Sequence, residues 1–321
     1  MDEALGLRAD GLPSGGALLV TDEVAASGGW LVAHFLRRAL ADAAAGSEAD
    51  ARGPGSAAGS AESAPRRAVC LVAADQDLAH YAQALRKLGR NVHAELASGR
   101  LVVVDALSLP YDWCRDAAGD APASTSAPSS AAPGVRAWSA PTKDPVPGRS
   151  LFAAVEAALG RAPPSPAGGG GVPPGVPPDG APARRVVVFD DLGASLPSSA
   201  SSSPAAASGA RDAAAVRALL TSCLALGDDV AVVALAHADA AGAAAARPGG
   251  WLAAADALAD ARVRVRRLDS GAAPDVHGRA AVTHRTGRWM PPCGGRDAPR
   301  PPRTAEVRFE ITEAGTRVTR A

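Results

Sequence analysis

The stretch ALLVTDEVAASGGWLVAHFLRRAL, Ala17 to Leu40, holds the residues closest to a known chemistry. An apolar run, a loop and two glycines that open a helix are how a phosphate-binding loop begins. In such a loop backbone N–H groups and a helix N-terminus cradle the anion, a lysine neutralises the outer phosphates and a Ser or Thr hydroxyl holds Mg²⁺. The pattern G-x-x-x-x-G-K-[ST] is met only in outline. With Gly28 on the second glycine, Glu23 stands at the first, Gly29 at the lysine and Trp30 at the hydroxyl. Asp22 and Glu23 add negative charge where a triphosphate would lie. A strand-to-helix turn accounts for the same residues, with Trp30 packing rather than reacting.

Three further groups could carry chemistry. VVVFDDL (186–192) ends an apolar run on Asp190 and Asp191, as a Mg²⁺-orienting aspartate does in a nucleotide hydrolase. Central strands often end in Asp, and without the upstream lysine and hydroxyl a metal has little to join. Asp75, Gln76 and Asp77 follow the second apolar run, where Asp75 or Asp77 can cap the next helix. The arginines are the third group. Arg262, Arg264, Arg266, Arg279 and Arg285, with Trp289 nearby, can bind phosphates through their planar forks, or can line a solvated strand face. The six histidines show no metal-ligand spacing, and no Ser-His-Asp or G-x-S-x-G constellation stands out. Neither a metal nor a cofactor is expected.

The elements that must position these residues alternate. ALLVT (17–21), AVCLVA (68–73), RLVVVDAL (100–107), RRVVVFDDL (184–192) and DVAVVALAH (229–237) read as buried strands. Between them lie helical patterns: one from about Gly28, one carrying Leu78, Tyr81, Leu85 and Leu88 up to Gly89, one at 150–160, one at 211–226 and one at 250–260. Strand–helix alternation predicts a mostly parallel sheet with helices on both faces. From Ala261 the period becomes two, with valines alternating with arginines. Residues 261–268, 279–285 and 306–312 therefore read as antiparallel strands, wet on one face. The chain is expected to be a single domain, 1–321, interrupted by flexible inserts at about 43–67, 110–149, 161–183 and 195–210.

Composition narrows the classes. Formal net charge is zero, so no overall basic field draws nucleic acid, yet the tail from Ala261 holds thirteen arginines against six acids. Arginine outnumbers lysine so heavily, with only Lys87 and Lys143 present, that a GC-rich genome explains part of the excess. Four scattered cysteines without a C-x-x-C pair fit a reducing compartment. The acidic start lacks a signal-peptide pattern, and no apolar run is long enough to span a bilayer, so a soluble cytosolic or nuclear protein is expected.

Five pieces together resemble the sixth-subunit family of the Elongator complex: SGGWLVAHFLRRAL, VCLVAADQDLAHYAQALRKLG, ASGRLVVVDAL, VVVFDDLGASL and PDVHGRAAVTHR. They occur in the family's order and cover most of the expected core. The resemblance implies a RecA-like, P-loop NTPase-type fold that has lost its phosphate-loop residues. It implies a non-catalytic place in a heterohexameric ring with the four and five subunits. That ring binds tRNA and joins the catalytic subcomplex that modifies wobble uridines at C5. No catalytic residue carries over. The competing reading is a stand-alone NTPase, or a recombination accessory factor, with a degenerate loop.

Overall fold

Apolar runs without alternation must be covered on both faces, and only the interior of a parallel sheet provides that. The computed structural model describes residues 5, 12–50, 68–107, 134–137, 148–160, 185–195, 205–239, 245–271, 273, 276–285, 303–312 and 315–320. In chain order its elements are β1 (Ala17–Asp22), α1 (Gly29–Asp50), β2 (Ala68–Ala73), α2 (Leu78–Lys87), α3 (Val92–Ala97), β3 (Leu101–Asp105), β4 (Val135–Ala137), α4 (Arg149–Leu159), β5 (Arg185–Phe189), α5 (Ala205–Leu224), β6 (Val230–His237), α6 (Trp251–Leu258), β7 (Ala261–Arg266), β8 (Gly278–His284), β9 (Arg303–Thr312) and β10 (Gly315–Arg320). One ten-stranded sheet joins them in the order β10-β9-β8-β7-β1-β6-β5-β2-β3-β4. From β7 to β4 every pairing is parallel. From β7 to β10 every pairing is antiparallel.

The direction of each crossover decides which face its helices cover. The connections β1 to β2 and β2 to β3 run one way along the sheet, and α1, α2 and α3 pack on one face. Leu31, Phe35, Tyr81, Leu85 and Leu96 lie there with Leu18, Val20, Leu71 and Val188. The connections β4 to β5, β5 to β6 and β6 to β7 run the other way, and α4, α5 and α6 pack on the opposite face. Leu151, Val155, Val216, Leu219 and Leu252 meet Leu19, Val72, Val187 and Phe189 there. A single crossover hand requires this division.

The antiparallel extension has helix cover from α1 on one face. Trp30 at the start of α1 lies with its ring 5.1 Å from that of Phe309 on β9. Val263, Val265, Val282 and Val307 complete that layer. Gly278 allows the strands to close up: a Cβ there would stand 2.6 Å from both the Arg266 carbonyl oxygen and the Phe309 ring.

The expected alternation is present, with three helix boundaries and two short elements that differ from the sequence reading. The helical backbone of α1 continues to Asp50, into the insert expected from 43, through an alanine-rich run that favours helix. Residues 110–149 contain β4, whose three residues are too few to show a period. They also contain the first residue of α4. α5 begins at Ala205, inside the insert expected at 195–210, again on alanines. α3 was not expected, although Asn91 caps it by accepting from the His93 and Ala94 N–H groups. The insert at 161–183 lies outside the described residues.

Candidate functional site at the C-terminal edge of the sheet

In an open parallel sheet, ligands bind beyond the carboxyl ends of the strands, where neighbouring strands send their chains to opposite faces. This sheet has two such points. β1 leaves toward α1 and its neighbour β6 toward α6; β2 leaves toward α2 and its neighbour β5 toward α5. A buried aspartate stands at each.

Asp22 ends β1, and its side chain is 1 % exposed. Its Oδ2 accepts from the Gly28 N–H at 2.6 Å, and its Oδ1 lies 2.6 Å from His237 Nδ1. Gly28 sits tightly packed: a Cβ there would stand 3.1–3.2 Å from Leu235, Asp22 and Val20 side-chain atoms. The loop between is folded tightly. Ala26 N–H donates to the Glu23 carbonyl at 2.8 Å, and Val24 N–H to Asp239 Oδ2 at 2.6 Å. Gly29 N–H donates to Ser27 Oγ at 3.2 Å. A phosphate loop leaves such N–H groups to a phosphate. Here the protein's own oxygens take them.

His237 ends β6, directly across from Asp22 in the parallel register. Its hydrogen bond to Asp22 raises its pKa to about 9, burial opposing the shift and Asp191 and Asp75 adding to it. At neutral pH it is therefore an imidazolium. Its Nε2 lies 3.9 Å from Asp75 Oδ2, so one cation ties the ends of β1 and β6 to the loop after β2.

Asp190 forms the second knot. Its Oδ1 accepts from the N–H groups of Ala74 (2.6 Å) and Asp75 (3.2 Å). Its Oδ2 accepts from Gln76 N–H (3.1 Å) and the Tyr81 hydroxyl (3.1 Å). Burial pushes its carboxyl up to about 6, against the pull of these four donors. The aspartate in the metal-orienting position thus has its oxygens engaged by backbone and phenol. Asp191 turns the chain, accepting from Gly193 N–H at 2.7 Å, and burial raises its pKa too. Of the two candidate helix caps, Asp77 is the cap, accepting from His80 N–H at 2.8 Å, while Asp75 belongs to the edge. Among the described residues, no group of three or more His, Cys, Asp or Glu side chains is placed to hold a metal ion.

Neither Tyr81 nor His237 stood out in the sequence. Tyr81 reads as one member of a core stripe, and His237 as the last residue of an apolar strand. Only the strand order, which sets β6 beside β1 and β5 beside β2, brings them to the aspartates.

The arginines separate. Arg262, Arg264 and Arg266 share the face of β7 turned away from α1, and the register places Arg279 on β8 beside Arg266 on that face. Arg285 reaches Asp256 of α6 instead, at 2.6 Å. Asp256 also pairs with Arg262 at 3.3 Å. Arg279 pairs with Asp269 (2.9 Å) and Glu306 (3.5 Å). Apart from the edge and this face, a hollow of about 260 Å³ lies at the α2–α3 turn, lined by Arg86, Arg90 and His93 among others.

No protein-family profile and no curated protein matches the sequence. Among solved structures it is similar to an uncharacterized protein from Pyrococcus horikoshii, crystallised in complex with an unknown peptide. The TM-score is 0.49 and the identity 10%, over 97% of this chain and 94% of that one. Among the described residues no helix is long and apolar enough to cross a membrane.

Two outcomes follow. Asp190→Ala leaves three backbone N–H groups and a phenol without an acceptor, and lowers unfolding free energy by about 3 kcal/mol in urea titrations; a change below about 0.5 kcal/mol would show the knot to be idle. The His237 pKa is raised on folding, so its contribution is full below about pH 6.5 and disappears as pH rises through about 9. The urea midpoint of the wild type should fall across that window, and that of His237→Gln should stay flatter.

Proposed function

We propose that this chain is a non-catalytic, RecA-like ring subunit of an Elongator-type tRNA-modifying assembly. Its place is beside the four and five subunits, in contact with the catalytic subcomplex, in the cytoplasm and also the nucleus. The observation that carries the reading is the Asp22 carboxylate on the Gly28 N–H. The chain retains a strand, a glycine pair and a helix in the order of a nucleotide site, then closes that site on itself. Asp190 extends the same logic, because its oxygens hold a loop rather than lie open to a metal. The strand order adds support: β6 separates β1 from the aspartate-ended β5, within a parallel sheet covered on both faces. On this reading the nucleotide-site architecture remains while its two aspartates, Asp22 and Asp190, are engaged within the protein.

Assembly is the work left to it, with Arg262, Arg264, Arg266, Arg279 and Arg285 contributing to tRNA. The five ordered resemblances are the reason for naming this ring. Co-expression with the two candidate ring partners, followed by native mass measurement, tests the reading. A complex containing all three chains is expected, and this chain remaining a monomer beside both partners would refute it.

A further inference from the structure

β7 carries a row of arginines that the described residues satisfy only in part. Alternation turns Val263 and Val265 toward α1, and Arg262, Arg264 and Arg266 toward the other face. The register sets Leu19 and Thr21 of β1 beside Arg262 and Arg264, and Ala281 of β8 on the other side of Arg264. The outer arginines have partial partners. Arg262 Nη1 lies 3.3 Å from Asp256, and Arg266 Nε lies 3.6 Å from Glu23, beyond hydrogen-bond reach. Among the described residues no carboxylate stands within 4.0 Å of the Arg264 guanidinium.

Three side-chain groups in and beside the row are also buried without a hydrogen-bond partner: Arg262 Nε, Arg266 Nε and the hydroxyl of Thr21, a residue 1 % exposed. Buried donors in folded proteins are almost always paired, and an orphan set asks for a water or an ion. Like charge on both sides adds to the demand: after burial, Arg262 and Arg266 lower the pKa of Arg264, while Asp256 and Glu23 oppose them without reversing the shift. A carboxylate brings one charge and two oxygens. A phosphate brings more acceptor oxygens and up to two charges, and guanidinium forks match its geometry.

We propose that Arg262, Arg264 and Arg266 form a phosphate-binding site on the face of β7 turned away from α1, with Arg264 as its centre. The ligand is a phosphate group, carried by an RNA backbone or free in solution. Only the RNA source rests on the tRNA reading above.

The test uses the full chain and two probes: inorganic phosphate against chloride at matched ionic strength, read by thermal unfolding, and a tRNA transcript, read by filter binding across a salt series. Phosphate should raise Tm by about 2–4 °C in the wild type and not in Arg264→Gln. Arg264→Gln should bind RNA about tenfold more weakly, with a salt slope smaller by about 1. Arg264→Lys keeps the charge without the fork and should fall between, which covers the case in which the glutamine variant folds poorly. Arg317→Gln, on a side chain 77% exposed and paired with Glu310, should leave both readouts unchanged. A response to phosphate alone assigns a free ligand, and a response to RNA alone assigns the backbone. No response to either probe in the wild type, or equal responses in wild type and Arg264→Gln, overturns the site. Ring assembly of Arg264→Gln, measured separately by native mass, distinguishes failure of this site from failure of the ring reading.

Discussion

The sheet's C-terminal edge depends on one carboxylate. Asp190 stands where β5 leaves toward one face and its neighbour β2 leaves toward the other, so the chain at this point is pulled two ways. The three N–H groups after β2 have passed the end of the ladder and need acceptors inside the protein. Asp190 supplies them, together with the acceptor for Tyr81 at the base of α2. The cost is a buried charge, visible in its raised pKa. Four donors hold that charge in place, and through them β5 fixes the start of α2.

Asp22 repeats the arrangement at the other divergence. It ties β1 to the first turn of α1 through Gly28 and to β6 through His237, with Asp75 behind the imidazolium. Parallel sheets with helices on both faces direct helix N-termini to this edge, and carboxylates are favoured there by the helix dipoles. In a nucleotide-binding protein a phosphate collects that field. Here aspartates from the chain collect it, so the same architecture becomes a set of internal clamps.

The fold was largely legible and the clamps were not. Apolar runs at 17–21, 68–73, 184–192 and 229–237 fixed the parallel strands, and the valine–arginine alternation from Ala261 marked the antiparallel ones. Gly28 was legible as a phosphate-loop glycine, Asp22 as negative charge beside that loop, and Asp190 as the aspartate that ends an apolar run. Their partners were invisible, because Tyr81 and His237 meet them across separations of 109 and 215 residues that only strand order closes. The short elements were lost for a different reason. β4 and α3 contain too few residues to express a period, and a cap such as Asn91 is recognisable only after the helix is known. The arginine row shows the same limit: alternation told which arginines share a face, but not that Arg262 and Arg285 converge on Asp256 while no carboxylate of the described residues stands within 4.0 Å of Arg264.

Equilibrium binding of Mg²⁺–ATP to the isolated full chain tests the central claim most directly. With Asp22 on the Gly28 N–H and Asp190 committed to the β2–α2 loop, no saturable binding is expected up to millimolar nucleotide. Stoichiometric binding that is abolished by Asp190→Asn would mean that the edge opens to nucleotide after all, and would contradict the account.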